Sequence, residues 1–390
     1  MSLYIDVSSE SINKYQEELC GDKVEIIRDE ASVILVLSDG LGSGVKANIL
    51  ATLTTKIIGT ILANGLEIEE AVDTIANTLP VCKERNIAYS TFTILQISAA
   101  GEGYLVEFDN PSAFRFRKGE PLPIETSSRT ISGKLIREAR FKVEQEDLFV
   151  VVSDGAIHAG IGHSLNLGWQ WDNIKEYIQK TYSSDMSAKS MTKLLLSACD
   201  NLYGHKEGDD TTVISVKAVK TMNLSIMVGP PVDQIQDQKV VRTFLSSEGK
   251  KVVCGGTTSQ IVARELNTEV KTSFNYSNPA LPPIAEIDGI DLTTEGVLTL
   301  QKALSLIKAC ISPESTMQDY LNLNKKDGAS KLAKILLEEC TQISFYVGRA
   351  MNPAHQNPGF PLNLSLKLKL VEEIAECIRS TGKQVRIEYN

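Results

Sequence analysis

Two runs of branched and aromatic side chains, each ending in the same three residues, set the terms for the whole chain. Val33, Ile34, Leu35, Val36 and Leu37 lead into Ser38-Asp39-Gly40, and Leu148, Phe149, Val150, Val151 and Val152 lead into Ser153-Asp154-Gly155. An unbroken apolar run of this length, stopped by turn residues, predicts a strand buried on both faces. Each run therefore delivers a carboxylate at the end of a rigid element. A third acidic point, Gly208-Asp209-Asp210-Thr211-Thr212-Val213, stands just ahead of a strand-like stretch ending at Val216. A fourth, Asp22, follows Cys20-Gly21 and precedes Val24-Glu25-Ile26-Ile27; if that short stretch is the hairpin neighbour of the Asp39 strand, Asp22 and Asp39 approach one point at a sheet edge.

Carboxylates converging on one place repel unless a cation neutralises them, and hard oxygen ligands select Mg²⁺ or Mn²⁺ over zinc. Two such ions ~3.5–4 Å apart give a hydroxide-like nucleophile and a clamp for phosphate oxygens, so hydrolysis of a phosphate ester is the natural reaction. A single Asp-Gly is an ordinary turn signal. What carries the inference is Asp39, Asp154 and Asp209 together, each beside a strand. Gly40 and Gly155 read as residues that leave their carbonyls and the metal's water uncrowded.

The remainder of the chain sets limits. Its 390 residues suffice for two or three domains, and a formal charge of −9 without a basic stripe argues against a nucleic acid or an anionic membrane as partner. No charged-then-apolar leader opens the sequence and no uninterrupted apolar run is long enough to span a bilayer, so a cytoplasmic location is expected. Seven scattered cysteines, Cys20, Cys82, Cys199, Cys254, Cys310, Cys340 and Cys377, form no Cys-x-x-Cys pair and read as reduced.

Taken in order, Tyr4 to Val7 starts a strand, residues 45–62 and about 67–79 form helices, the second closed by Pro80, and Ser90–Ile97, Gly103–Phe108 and Ala113–Arg117 form an antiparallel meander. A strand at 137–143 precedes the second Ser-Asp-Gly, and helices at 167–181 and 187–202 precede Thr211. Strands broken by pairs of helices imply an α+β domain over residues 1–219, two packed sheets with helices on both outer faces. Beyond it, strands at 224–228 and 251–254 alternate with helices at 233–245 and 257–266, so residues 220–390 read as a smaller α/β domain of the βαβ type. Further helices follow at 296–311, 330–340 and 366–381. Pro279–Pro283 is a break, 352–361 with His355 an exposed loop, and 385–389 a last strand.

The set Gly21-Asp22, Ser38-Asp39-Gly40-Leu41-Gly42-Ser43-Gly44 with Ala47, Asp147 to Gly155, and Gly208 to Val213 resembles the metal-dependent serine/threonine protein phosphatases, the PPM or protein phosphatase 2C type. It is most similar to the bacterial branch typified by the stage II sporulation protein E phosphatase, over about residues 1–219. The resemblance implies an α-β-β-α sandwich and two Mn²⁺ or Mg²⁺ ions. In it Asp39 bridges the ions, the Gly40 carbonyl joins one, Asp154 and Asp209 hold the other, and Asp22 orients metal-bound water. Asp210 is the less favoured of the adjacent pair, although spacing alone allows either. Leu41 stands where eukaryotic members carry a histidine proposed as general acid, as in the sporulation branch, and this removes that proton donor. His158, His163 and His205 are nominal substitutes and Lys46 a weak phosphate clamp; loop histidines are usually only solvated side chains.

The resemblance further implies a phosphoprotein substrate in bacterial signalling, of which an anti-sigma-factor antagonist is one example, although related enzymes carry their sensory domains ahead of the catalytic unit and here the extension lies behind. Two rival readings are a phosphatase-like module that binds a partner without catalysis and a small-molecule phosphomonoesterase. In the second half, Cys254-Gly255-Gly256-Thr257-Thr258-Ser259 falls between strand and helix, where an anion cradle competes with a glycine turn and threonine N-cap. Asp288-Gly289-Ile290-Asp291 with Glu295 offers a cation site or, more simply, an acidic turn. This half reads as regulatory, substrate-recruiting or dimerising, which leaves a homodimer open.

Overall fold

The two Ser-Asp-Gly strands belong to different sheets of one sandwich. The computed structural model describes residues 3–29, 32–78, 90–233, 235, 237–272, 283–312, 314–350 and 362–390. The chain divides into two compact units, Met1–Lys220 and Thr221–Asn390. Pro80, Cys82, the break at 279–282 and the loop at 352–361 with His355 lie outside the described residues.

The first unit runs β1 (Leu3–Ile12), β2 (Asp22–Arg28), β3 (Ser32–Gly40), α1 (Gly44–Ala63), α2 (Ile68–Thr78), β4 (Ser90–Ser98), β5 (Glu102–Phe108), β6 (Phe114–Arg117), β7 (Glu120–Pro121), β8 (Ser127–Ile131), β9 (Lys134–Lys142), β10 (Asp147–Val152), α3 (Asp154–Ile157), α4 (Trp171–Thr181), α5 (Ala188–Tyr203) and β11 (Thr211–Lys220). One sheet has the order β2-β3-β4-β5-β9-β8, the other β1-β11-β10-β6-β7. All the strand pairs in both are antiparallel.

The period of two explains why β3 and β10 have no polar face. On β3, Ile34 and Val36 pack outward with Ile58 and Leu62 of α1 and Val72 of α2, while Leu35 and Leu37 point inward to Phe149 and Val151 of β10 and Ile214 and Val216 of β11. On β10, Leu148, Val150 and Val152 turn outward against Ile174 and Ile178 of α4 and Leu195 and Cys199 of α5. Helix, sheet, sheet and helix thus form the α-β-β-α sandwich. Each fully buried Leu, Ile or Phe stabilises it by roughly 1.5–3 kcal/mol.

Three expectations change. The meander breaks after β5: β5 pairs with β9, and β6 crosses to the other sheet to pair with β10, so that Phe114 and Phe116 face the α4 side. Helix α4 starts at Trp171 rather than Leu167, because Gly168 and Gln170 adopt left-handed backbone (φ 78° and 64°) that a helix cannot contain. Helix α1 is long and apolar enough to cross a membrane by length and composition. One side of it packs on the six-stranded sheet, with Ala47, Ala51 and Ile58 fully buried, while Val45, Ile49 and Leu53 are exposed.

The second unit comprises β12 (Asn223–Val228), α6 (Asp237–Ser246), β13 (Lys250–Cys254), α7 (Gly256–Glu265), β14 (Lys271–Thr272), β15 (Ala285–Glu286), β16 (Leu292–Thr294), α8 (Val297–Ile311), α9 (Met317–Asn322), α10 (Gly328–Glu338), β17 (Gln342–Val347), α11 (Leu362–Ser380) and β18 (Gln384–Tyr389). Its sheet order is β14-β15-β16-β13-β12-β17-β18, parallel from β16 to β18. Helices α8, α10 and α11 cover one face and α6 and α7 the other, the α/β arrangement anticipated. Two strands carry no clear sequence signal: β16 is three residues with two threonines, and Gln342 and Ser344 interrupt the apolar pattern of β17.

Candidate metal centre

The acidic points of the first unit meet where strands from both sheets end. Asp22 and Asp39 face each other in the register of β2 with β3. Asp154 opens α3 directly after β10, and Asp209 and Asp210 immediately precede β11, the strand beside β10. The Ser153 hydroxyl accepts the Thr212 N–H at 2.9 Å and the Thr212 carbonyl accepts the Ser153 N–H at 3.0 Å, which ties the two loops together.

These carboxyl groups act on one another's charge. Burial, followed by the charges of Asp22, Asp154, Asp209 and Asp210, pushes the Asp39 carboxyl up to about 9. Asp22 is 3% exposed. Burial raises its carboxyl to about 7, against hydrogen bonds from Ser153 and Thr212 that favour the charged form, with Asp210 and Asp154 adding to the rise. Asp209 is raised by burial and by Asp154, while Lys14 pulls it down. Cys20, beside Asp22 and Asp210, has its thiol pushed by burial up to about 12 and so stays protonated.

A divalent cation fits this donor set. The Oδ2 atoms of Asp22 and Asp210 are buried with no hydrogen-bond partner among the described residues, which is costly for a carboxylate unless a cation or water meets it. The ligand atoms are all oxygens, the set that Mg²⁺ and Mn²⁺ take. Among the described residues no three His, Cys, Asp or Glu side chains already stand at ligating distance from a common point. The site therefore rests on backbone placement and shared field, not on a preformed cage.

The glycines turn out to serve packing. A Cβ on Gly40 would lie 2.1 Å from the Ala47 carbonyl oxygen of α1, and one on Gly155 would lie 2.1 Å from the Asp210 carbonyl oxygen. They let the Asp-Gly turns press against neighbouring backbone. The Gly155 carbonyl itself accepts the Tyr203 hydroxyl at 2.8 Å.

Sequence reasoning missed two groups. Lys14, just past β1, donates its backbone N–H to Asp210 Oδ1 at 3.0 Å and supplies the positive charge felt by Asp209. Glu17 accepts the Ser43 hydroxyl at 3.1 Å and lies against Gly44, placing a carboxylate at the positive end of α1. Only the polar stretch after β1 hinted at either. Asp210 is more buried than Asp209, at 4% exposure, and is tied into the site through Lys14.

The other candidates lie elsewhere or act locally. His158, His163 and His205 are exposed, and His205 is engaged with Asp200 at 2.9 Å. Leu41 and Lys46 are exposed, and neither is among the leading causes of the carboxylate shifts. In the second unit the N-cap of α7 is Gly255 (φ 117°) rather than a threonine, and the Ser259 hydroxyl donates to the Gly255 carbonyl at 2.8 Å. Thr258 and Ser259 are buried. Asp291 accepts the Lys251 N–H and Glu295 the Gly296 N–H, at 2.7 and 3.1 Å, as turn residues do.

Residues 29–219 match the family model of the stage II sporulation protein E (SpoIIE). No curated protein matches the chain. Among solved structures it is similar to the PP2C phosphatase domain and regulatory-domain fragment of SpoIIE from Bacillus subtilis, at 20% identity and TM-score 0.48, covering 56% of this chain and 64% of that one. It thus spans under two thirds of that structure's length. It is also similar to RsbX in complex with magnesium (19%, TM-score 0.41, covering 56% and 100%) and to the RsbU and RsbW domains of a Mycobacterium tuberculosis protein (16%, TM-score 0.47, covering 62% and 68%).

Proposed function

We propose that this chain, whose residues 29–219 match the stage II sporulation protein E family model, is a metal-dependent phosphatase of the PP2C type that hydrolyses phosphoserine or phosphothreonine in a partner protein. The observation that carries the reading is the gathering of buried Asp22 and Asp210 with half-buried Asp39, Asp154 and Asp209, contributed by both sheets and unstable in charge without a cation. Divalent cations, when bound, supply Lewis acidity and lower the pKa of water to the neutral range.

The chain's own part is to hold and orient. Asp39 and Asp22 present their carboxylates from paired strands of one sheet, and Asp154 and Asp209 present theirs from loops tied by Ser153 and Thr212 of the other. Lys14 adds the positive charge that an incoming phosphoryl group needs on that side. Leu41 offers no proton, and among the described residues His158, His163 and His205 are solvent-exposed, so protonation of the departing serine or threonine oxygen is assigned to water.

The match to the stage II sporulation protein E family model supports a signalling phosphoprotein as substrate. The test is hydrolysis of p-nitrophenyl phosphate and of a phosphoserine peptide with Mn²⁺, Mg²⁺ or EDTA. Metal-dependent release of phosphate from the peptide supports the reading. Hydrolysis of the small ester alone replaces it with a phosphomonoesterase, and no metal-dependent turnover of either with a binding module.

A further inference from the structure

The two sheets of the first unit do not cover each other along one edge. The six-stranded sheet continues past β5 through β9 to β8, whereas its partner ends in the four-residue β6 and the two-residue β7. Residues of β5, β9, the loop at 122–126 and helix α4 border the gap there. A cavity of about 500 Å³ is left between them, walled by Leu105, Phe114, Leu122, Ile124 and Trp171. Phe114 and Trp171 stack with ring centroids 4.6 Å apart, and the indole N–H is fixed by the Ser112 carbonyl at 2.8 Å, so this wall is rigid. Size and lining match a small-molecule pocket.

Its polar groups are few and mostly positive. Arg115, Arg137 and Lys175 line it with one carboxylate, Glu107. Glu107 is 2% exposed, and both its oxygens are spent: one accepts the Ala113 N–H at 2.7 Å, the other meets Arg137 Nη2 at 2.9 Å. Arg137 commits that one nitrogen and is otherwise about two-fifths exposed. Arg115 is 8% exposed, packs over Phe141 and Phe149, and pairs with Asp147, yet its buried Nε has no hydrogen-bond partner among the described residues. A buried guanidinium with an unspent donor is the kind of group that a ligand or ordered water completes. Lys175 lies over the Trp171 ring at 4.8 Å, and its ammonium pairs at 2.9 Å with the largely exposed Asp172 carboxylate, a solvated partner that an anion can share.

We propose that this cavity binds a small organic carboxylate, its apolar body against Phe114 and Trp171 and its anionic end met by Arg137 and Lys175. The guanidinium donors left over at Arg137 and Arg115, beside a Glu107 with no acceptor to spare, favour an anion over a neutral or cationic ligand. The site is separate from the acidic centre and does not depend on the phosphatase reading.

The test uses the full chain with decanoate as probe, decanol as the neutral control, and two readouts, intrinsic fluorescence and melting temperature. The chain's two tryptophans are Trp169 and Trp171, so fluorescence reports on this wall directly. Decanoate is expected to give a saturable change and raise the melting temperature, with decanol binding about tenfold more weakly, the difference one charged contact makes. Arg137→Gln and Lys175→Gln should each weaken decanoate by a similar factor. Because Arg137→Gln leaves Glu107 buried and unpaired, Lys175→Gln, which sits at the rim, serves if the first variant does not fold. No saturable change in either readout, decanol binding as tightly as decanoate, or Lys175→Gln binding like the parent would each overturn the proposal.

Discussion

A Cβ placed on Gly155 would lie 2.1 Å from the carbonyl oxygen of Asp210. The second Ser-Asp-Gly turn and the acidic pair before β11 are therefore pressed backbone to backbone, a contact that joins the Ser153–Thr212 hydrogen bonds in holding the two loops together. Gly155→Ala should move the Asp210 peptide and cost about 1–3 kcal/mol, the range for overpacking a tight interior. Urea denaturation measures the loss. A midpoint unchanged from the parent would show that the backbones give way freely.

Asp39→Asn separates the role of charge from that of shape. The amide keeps the volume and removes one of the converging negative charges, so turnover should fall to background while the fold persists. The metal-free variant should melt higher than the metal-free parent, and Mn²⁺ should raise its melting temperature much less. If Mn²⁺ stabilised both proteins equally, Asp39 would not belong to the cation's surroundings.

Proton and cation compete for these carboxylates, which fixes a pH dependence. The Asp39 carboxyl rises from 3.8 to about 9 on folding, so the folded state holds its proton more tightly than the unfolded chain. Its contribution to stability is then greatest below pH 4, declines as pH rises between roughly 4 and 9, and is gone above 9. With EDTA, the melting temperature of the parent should fall relative to Asp39→Asn between pH 6 and 8.5. With Mg²⁺ the gap should narrow most at the higher pH, because the ligands must be deprotonated to bind. A parent-to-variant difference independent of pH would mean that Asp39 is not buried among like charges.

How far the site was legible follows from where its information lies. Central strands of a covered sandwich cannot carry polar residues, so β3 and β10 announced themselves and fixed Asp39 and Asp154 at their ends. The Asp22–Asp39 pairing was readable because short antiparallel neighbours are joined by local hairpins. The reason for Gly40 and Gly155 was not, since the atoms they avoid belong to Ala47 and Asp210, and a single chain pattern does not disclose which backbones will touch. Lys14 stayed hidden for the same reason. It sits in a polar stretch without periodicity and acquires meaning only when the end of β1 is brought to β11. The crossing of β6 between sheets was likewise invisible, because Ala113 to Arg117 alternate as well for one sheet as for the other.

Lys14 should act on substrate more than on rate. Its charge is felt at Asp209, and its backbone N–H holds Asp210. Lys14→Gln should therefore leave the loop in place and raise KM for a phosphoserine peptide several-fold, with kcat changed less, as loss of a single exposed charge contact does. Steady-state kinetics over a range of ionic strength decide it. A KM equal to the parent's at low salt would assign Lys14 to the loop alone.

Each unit owns its core, so cutting between them should leave two folded pieces. Residues 1–220 contain all the converging carboxylates and three of the packed apolar clusters. Residues 221–390 contain the parallel sheet with helices on both faces. The strand that ends the first unit, β11, lies between β1 and β10, and the one that opens the second, β12, is central in its own sheet. A cut after Lys220 thus severs no sheet. The first piece alone should hydrolyse p-nitrophenyl phosphate with the metal dependence of the whole chain, and the second should unfold cooperatively by itself. If the 1–220 fragment proved folded but inactive while the full chain turned over substrate, the second unit would have to contribute to catalysis, and the division of labour argued from the two cores would fail.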